Sequence, residues 1–243
     1  MKVKFLKYKK IILFLFLVLG CVLLIPRQIF VTETFENDTL KKTYSQFGQD
    51  LNVSKYFDYK KNGYFVDIGA YDGIEYSNTY LLEKKYNWKG ICIEVVPSIF
   101  NELKKNRPDV ITVNTAVYNT NGDTVEISES NMLSGITKDI DKHMHAKEGK
   151  SVKQTTKTLT KILEENNAPS YIDYMSLDTE GSEYKILQGI DFNKYTFGYL
   201  NIEHNNIEPR RTQMRKLLEQ NDYVYLAEND VDDDYVHKSK IKN

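Results

Sequence analysis

Four acids in this sequence stand where chemistry can be done. Asp67, Glu94, Asp178 and Glu203 each lie at or near the end of a short apolar run of strand character, residues 64–68, 90–95, 171–177 and 199–202. In an open α/β sheet, ligands bind outside the carboxyl ends of the strands. Carboxylates gathered on one such edge repel one another unless a cation, a metal or a hydroxyl-rich ligand offsets them. The first acid opens the pattern Asp67-x-Gly69-x-x-x-Gly73. A glycine-bearing turn there lets a ligand approach bare backbone, beside the free N–H groups of the next helix. The spacing is not the Gly-x-Gly-x-x-Gly of dinucleotide binders, so a nicotinamide-dependent oxidoreductase is disfavoured.

Beside these acids stand residues able to move a proton. His204 follows Glu203 directly, and an imidazole accepts a proton near neutral pH. Asp178 and Glu203 are rival bases. With Glu180 or Glu183 they form an alternative set that would hold a divalent metal, a reading not favoured over plain acid–base chemistry. His143 and His145 fall in a polar stretch, residues 141–150, expected to be a solvated loop or lid. Of the two cysteines, Cys92 sits inside an apolar run and reads as a small core residue. Two cysteines make no disulfide framework and no thiolate metal site.

The elements that must position these residues alternate along the chain. Strands are expected at 64–68, 90–95, 110–117, 171–177 and 199–202, with a short extra strand at 124–128 and closing strands at 223–226 and 235–237. Helices are expected at 77–86, from Ser98 as cap, at 159–165, at 181–187 and from Pro209. That alternation predicts a mostly parallel sheet with helices on both faces. The 243 residues carry 33 basic and 34 acidic side chains, so no excess of positive charge exists to track a nucleic acid. Ahead of this domain, five lysines among residues 2–10 precede fifteen uncharged residues, 11–25. This predicts a basic tail and signal-anchor over 1–25, with a cleaved signal peptide as the alternative, a polar linker over 26–44, and one domain over 45–243. Lysines on the cytoplasmic side put that domain in a lumen or outside the cell.

The segments Ser45-Gln46-Phe47-Gly48-Gln49-Asp50, residues 65–73, Tyr76-Ser77-Asn78-Thr79, Leu82-Glu83, Trp88-Lys89-Gly90 and Ile93-Glu94 come in that order. Ser176-Leu177-Asp178-Thr179-Glu180-Gly181-Ser182-Glu183 and Ile202-Glu203-His204-Asn205 follow. Over residues 45–237 the chain resembles the FkbM family of S-adenosylmethionine-dependent methyltransferases. The resemblance implies a Rossmann-like class I methyltransferase fold with an antiparallel strand near one end of its sheet. It implies that Asp67, Gly69, Ala70, Asp72 and Gly73 border S-adenosylmethionine, that Glu94 accepts its ribose hydroxyls, and that Ser77 and Asn78 lie near its methionine portion or the substrate entrance. It implies methyl transfer to a hydroxyl of a sugar, glycan or related small molecule, with His204, Asp178 or Glu203 as base. Many relatives read Glu-Pro after the second strand; here Glu94 is followed by Val95-Val96-Pro97. A membrane-anchored adaptor that uses the same domain without catalysis is the alternative.

Overall fold

The computed structural model describes residues 43–241. The expected tail and anchor, and nearly all of the expected linker, lie outside the described residues. Among the described residues no helix is long and apolar enough to cross a membrane.

Seven strands form one sheet. In chain order its elements are α1 (Gln49–Tyr56), β1 (Tyr64–Ile68), α2 (Tyr80–Tyr86), β2 (Lys89–Ile93), α3 (Pro97–Asn106) and β3 (Ile111–Val113). After an excursion come α4 (Leu159–Glu165), β8 (Tyr171–Leu177), α5 (Glu183–Gln188), β9 (Thr196–Glu203), α6 (Arg210–Gln220), β10 (Tyr223–Asn229) and β11 (Asp232–His237). The spatial order is β10-β11-β9-β8-β1-β2-β3. β3, β2, β1, β8 and β9 are parallel, whereas β11 runs antiparallel between β9 and β10. The chain leaves β1 toward β2 on one side and returns as β8 on the other, so a crevice opens between their carboxyl ends. The architecture is mixed α/β with a mostly parallel sheet, as expected.

Side chains alternate between the two sheet faces. Val66, Ile68, Ile91, Ile93, Met175, Leu177, Leu200 and Ile202 pack against Leu159 and Leu163 of α4, Ile186 and Leu187 of α5, and Met214 and Leu218 of α6. Phe65, Cys92, Tyr174, Tyr199 and Val236 pack on the other face against Val53 of α1, Leu81 and Leu82 of α2, and Leu103 of α3. Each fully buried aliphatic side chain contributes roughly 1.5–3 kcal/mol. Cys92 is completely buried, and burial pushes its thiol up to about 12, so it is a core residue and no nucleophile.

The excursion is a second sheet of four strands, in the order β4 (Ala116–Val117), β7 (Lys150–Lys157), β5 (Thr124–Glu129) and β6 (Gly135–Ile136). The expected single strand over 110–117 is therefore two short ones in different sheets. Asn114 marks the crossing: its Nδ2 donates to the carbonyls of Glu94 (2.7 Å) and Val95 (3.1 Å). The expected loop over 141–150 instead holds a 3₁₀ turn, Met144–Glu148, and leads into β7. Helix starts differ as well. α2 begins at Tyr80 because the Ser77 hydroxyl accepts the N–H groups of Thr79 (3.3 Å) and Tyr80 (3.1 Å), holding the preceding turn. α3 begins with Pro97 at its first position and Val96 as cap residue, so Ser98 caps nothing. α5 begins at Glu183, whose side chain folds back to accept from Thr179 N, Thr179 Oγ1 and Gly181 N (3.0, 2.9 and 3.0 Å).

One buried cation ties the first loop in place. Arg107, 1% exposed, leaves the end of α3 and pairs with Glu83 of α2. Its Nη1 donates to the Gly73 carbonyl (2.9 Å), and its Nη2 to Thr79 Oγ1 (3.2 Å). The guanidinium also lies against the rings of Phe65 and Tyr80, each 5.6 Å away. Removing one partner of such a pair leaves a buried charge uncompensated and costs about 3–5 kcal/mol. Arg107→Leu is therefore expected to lower stability by about that amount in denaturant titration. The double variant Arg107→Leu, Glu83→Leu should recover much of the loss; equal destabilisation in both would contradict the pairing.

Candidate active site

A cleft runs along the carboxyl ends of β1, β2, β8 and β9 and divides into two lobes that share Gly69, Tyr71, Met132 and Asp178. The first lobe is largely apolar, with Ile93, Val95, Ala116, Val117 and Ile136 in its walls and Glu94 at its border. The second is acidic. Asp67, Glu75, Asp178, Glu180, Glu203 and Asp232 line it, together with Gln46, Gln49, Asn78, His143 and Asn205. Among the described residues no lysine or arginine lines this lobe.

Each acid is held by a traceable local cause. Asp67, inside the last turn of β1, accepts from Thr79 Oγ1 (2.7 Å). Burial raises its pKa, and the Thr79 hydrogen bond and the Arg107 charge oppose that rise. Glu94 joins two loops: Oε1 accepts the N–H of Val96 (2.8 Å) and Oε2 that of Tyr71 (3.1 Å). The Val95-Val96-Pro97 turn is thus fixed by the acid that precedes it. Burial pushes Glu94 up to about 7 despite these two donors.

Asp178 has surface open to the cleft but is walled in by protein on its other sides. Desolvation, and then the charges of Glu180, Asp232 and Glu183, raise its pKa well above the usual range. Glu203 is 6% exposed and raised in the same way, by burial and then by Asp178. Glu180, in a left-handed backbone conformation (φ 59°), is pushed up to about 7 by burial and by Glu183. Glu183 itself lies behind the cleft, ion-paired with Arg210 Nη1 at 2.8 Å.

The two glycines of the sequence pattern serve the protein's own packing. Gly69 has φ 90°, and a Cβ there would lie 1.7 Å from the Asp178 carbonyl oxygen. The turns after β1 and β8 touch backbone to backbone, which brings Asp67 and Asp178 to one cleft. Gly73 has φ 82°, and its Cβ would meet Arg107 Cγ and Leu103 Cδ1, each at 2.6 Å. Gly73 therefore makes room for Arg107.

Of the residues expected at the site, Asp67, Gly69, Ala70, Ser77, Asn78, Asp178 and Glu203 meet in the acidic lobe, and Glu94 borders the apolar one. Three do not line either lobe. Asp72 holds its own turn, with Oδ1 accepting the N–H groups of Ile74 and Glu75 (2.8 Å each). Gly73 faces α3, as above. His204, wholly buried, turns away from the cleft. Its Nδ1 accepts the Asn206 N–H (2.9 Å), and its Nε2 lies 3.5 Å from Asp233. Burial lowers its pKa and the neighbouring Asp233 opposes that, so the ring serves the packing behind the cleft. Sequence reasoning passed over Gln46, Gln49, Tyr71, Met132, Asn205 and Asp232. The signal for Asp232 was three consecutive aspartates in a closing strand, all of them buried. Gln49 Nε2 donates to Asp232 Oδ2 (2.8 Å), which fixes the segment before α1 as one wall of the cleft.

The sequence profile of the family described as "Methyltransferase FkbM domain" matches residues 67–225. No curated protein sequence matches the chain significantly. Similar solved structures include the precorrin-6y C5,15-methyltransferase of Geobacter metallireducens GS-15, at 10% identity and a TM-score of 0.41, over 73% of this chain and 71% of that one. The METTL16 MTase domain is similar at 12% identity and a TM-score of 0.46, over 77% of this chain and 64% of that one. TrmK of M. capricolum, solved in complex with S-adenosyl-homocysteine, is similar at 11% identity and a TM-score of 0.41, over 76% of this chain and 66% of that one. The chain thus spans between 64% and 71% of those three proteins, and the likeness is one of distant chain path.

Glu94, Glu180 and Asp232 are each pushed up to about 7. The native protein therefore keeps protons that the unfolded chain releases near its ordinary carboxylate values of roughly 4. Stability of the ligand-free protein is expected to fall as pH rises from about 4.5 to about 7 and to level off above. Thermal unfolding against pH, in chelating buffer, checks this. Glu180→Gln should flatten the slope, and a midpoint that rises through this window would refute the assignment.

Proposed function

The chain belongs to the FkbM methyltransferase domain family, and from that premise we propose that it methylates a hydroxyl oxygen of a sugar, glycan or related small molecule, using S-adenosylmethionine. The observation that carries the reading is the two-lobed cleft: an apolar slot bordered by a carboxylate opens, at Gly69 and Asp178, into an acidic chamber. The residues present fit such a donor. The apolar walls of Ile93, Val95, Ala116 and Ile136 suit a flat base, and Glu94 has free lone pairs at the slot's border for vicinal hydroxyls. The acidic lobe suits a cationic centre. When bound, S-adenosylmethionine supplies a methyl group already activated on a sulfonium.

The protein's own part is to position the acceptor oxygen and take its proton. Positioning alone is worth effective molarities of about 10⁵ M or more. The Asp178–Glu203 pair supports proton uptake, because a carboxylate whose pKa is raised by burial is a stronger base than an exposed one. Asn78 adds a polar group on the same wall: its Nδ2 donates to Ser176 Oγ (2.9 Å) and its Oδ1 has no partner. An acidic chamber repels a phosphate backbone and welcomes a neutral polyol, which favours a small acceptor over a nucleic acid. The apolar run over 11–25 behind five lysines supports a membrane anchor and hence a glycan acceptor in a lumen or at a cell surface.

The test is incubation of the purified full-length protein with labelled S-adenosylmethionine and a panel of glycans and polyols. Asp178→Asn is expected to lower turnover by about 10²–10⁴-fold with affinity for the uncharged product S-adenosylhomocysteine held within about twofold. Glu94→Gln is expected to weaken donor binding about tenfold or more, as the loss of charge-assisted hydrogen bonds does. Calorimetry showing no donor binding by the unaltered protein would sink the reading.

A further inference from the structure

We propose that Asp178, Glu180 and Glu203 form a site for one hard divalent cation, magnesium or manganese, on the acceptor side of the cleft. The inference rests on the methyl-transfer reading for the acceptor's place and adds what holds that acceptor there.

One carboxylate oxygen from each of the three residues lies within 4.8 Å of the others. Oxygens around an ion at about 2.1 Å stand roughly 3–4 Å apart, so a small contraction closes the set. The second observation is independent of that clustering. Glu180 and Glu203 are more than nine-tenths buried, and Oε2 of each has no hydrogen-bond partner. A buried carboxylate oxygen without a donor is costly and calls for one. The surrounding protein does not provide it. Among the described residues the acidic lobe has no lysine or arginine in its lining, and the nearby guanidinium of Arg210 pairs with Glu183 and Asp141, its charge only partly offsetting that of Glu180.

Chemistry narrows the ion. Three carboxylates with no imidazole or thiolate suit magnesium, manganese or calcium rather than zinc. Three protein ligands fall short of an octahedron, and Asp178 is open to the cleft. The remaining positions are then free for water and for acceptor hydroxyls, and a vicinal diol fits two of them. A hydroxyl drawn onto the ion also becomes more acidic, beside the carboxylates already in place. A second cluster, His204, Glu228 and Asp233, makes the useful contrast. There Arg211 pairs with both acids and Arg215 with Asp233, so guanidinium groups already supply the positive charge.

The test uses full-length protein stripped with a chelator and titrated with manganese chloride, followed by electron paramagnetic resonance and calorimetry. One saturable site is expected. Glu180→Gln and Glu203→Gln should each weaken manganese binding at least tenfold, while unfolding at higher temperature than the parent and binding S-adenosylhomocysteine as it does. Glu228→Gln should leave manganese binding unchanged. No saturable binding, full binding in both glutamine variants of the site, or loss of binding in Glu228→Gln alone would overturn the proposal. The two readings fail separately. Methyl transfer that survives chelation in a protein binding no manganese removes the cation site only. Manganese binding that depends on Glu203, in a protein inert toward every acceptor, removes the transfer reading only.

Discussion

Like charges held close together, three of them buried and one open to the cleft, are the constraint around which this structure is arranged. Asp178, Glu180, Glu203 and Asp232 share one lobe of the cleft, and each is harder to ionise than an ordinary carboxyl. Desolvation and mutual repulsion act in the same direction there. The fold has arginines to oppose this, but it places them one layer back. Arg107 goes to Glu83 and the loop after β1; Arg210 goes to Glu183, Asp141 and the His204 carbonyl after β9. Both cations form their ion pairs behind the cleft, and their charges only partly offset Asp67 and Glu180 in front of them. Such an arrangement lowers the stability of the empty protein and raises the gain from whatever positive or hydroxyl-rich partner enters.

Much of this edge was legible in the sequence because strand ends are legible. An apolar run closing on an acid marks both a strand and its carboxyl end, and a parallel sheet gathers all such ends on one side. That is why Asp67, Glu94, Asp178 and Glu203 could be grouped before any coordinates. Side-chain direction past the last strand residue is a different matter. Glu203 reaches the cleft and His204, one residue on, does not, because its backbone N–H is bonded to the Val231 carbonyl (2.8 Å) and its ring is captured by Asn206 and Asp233. Asp72 reads like a ligand residue and proves to be a turn residue, since a short acid followed by two free N–H groups bonds locally first.

In the second sheet β5 was legible as the short strand at 124–128, whereas β7 was not, for an equally physical reason. β7 reads Lys-Ser-Val-Lys-Gln-Thr-Thr-Lys and buries only Thr156 fully, so it carries no hydrophobic alternation. Its place is set by backbone ladders on both sides, to β4 and to β5. Pattern reading finds strands that bury a face and misses those that merely complete a ladder.

The short hairpin of β5 and β6 places Met132 against both lobes at once, on a loop whose Asn131 adopts a left-handed turn. That loop hangs from the small sheet, whose core of Val96, Tyr118, Val125, Ile127 and Ile136 is separate from the packing of the large one. Changes of length or sequence at its tip would therefore reshape the chamber's ceiling without disturbing the scaffold beneath.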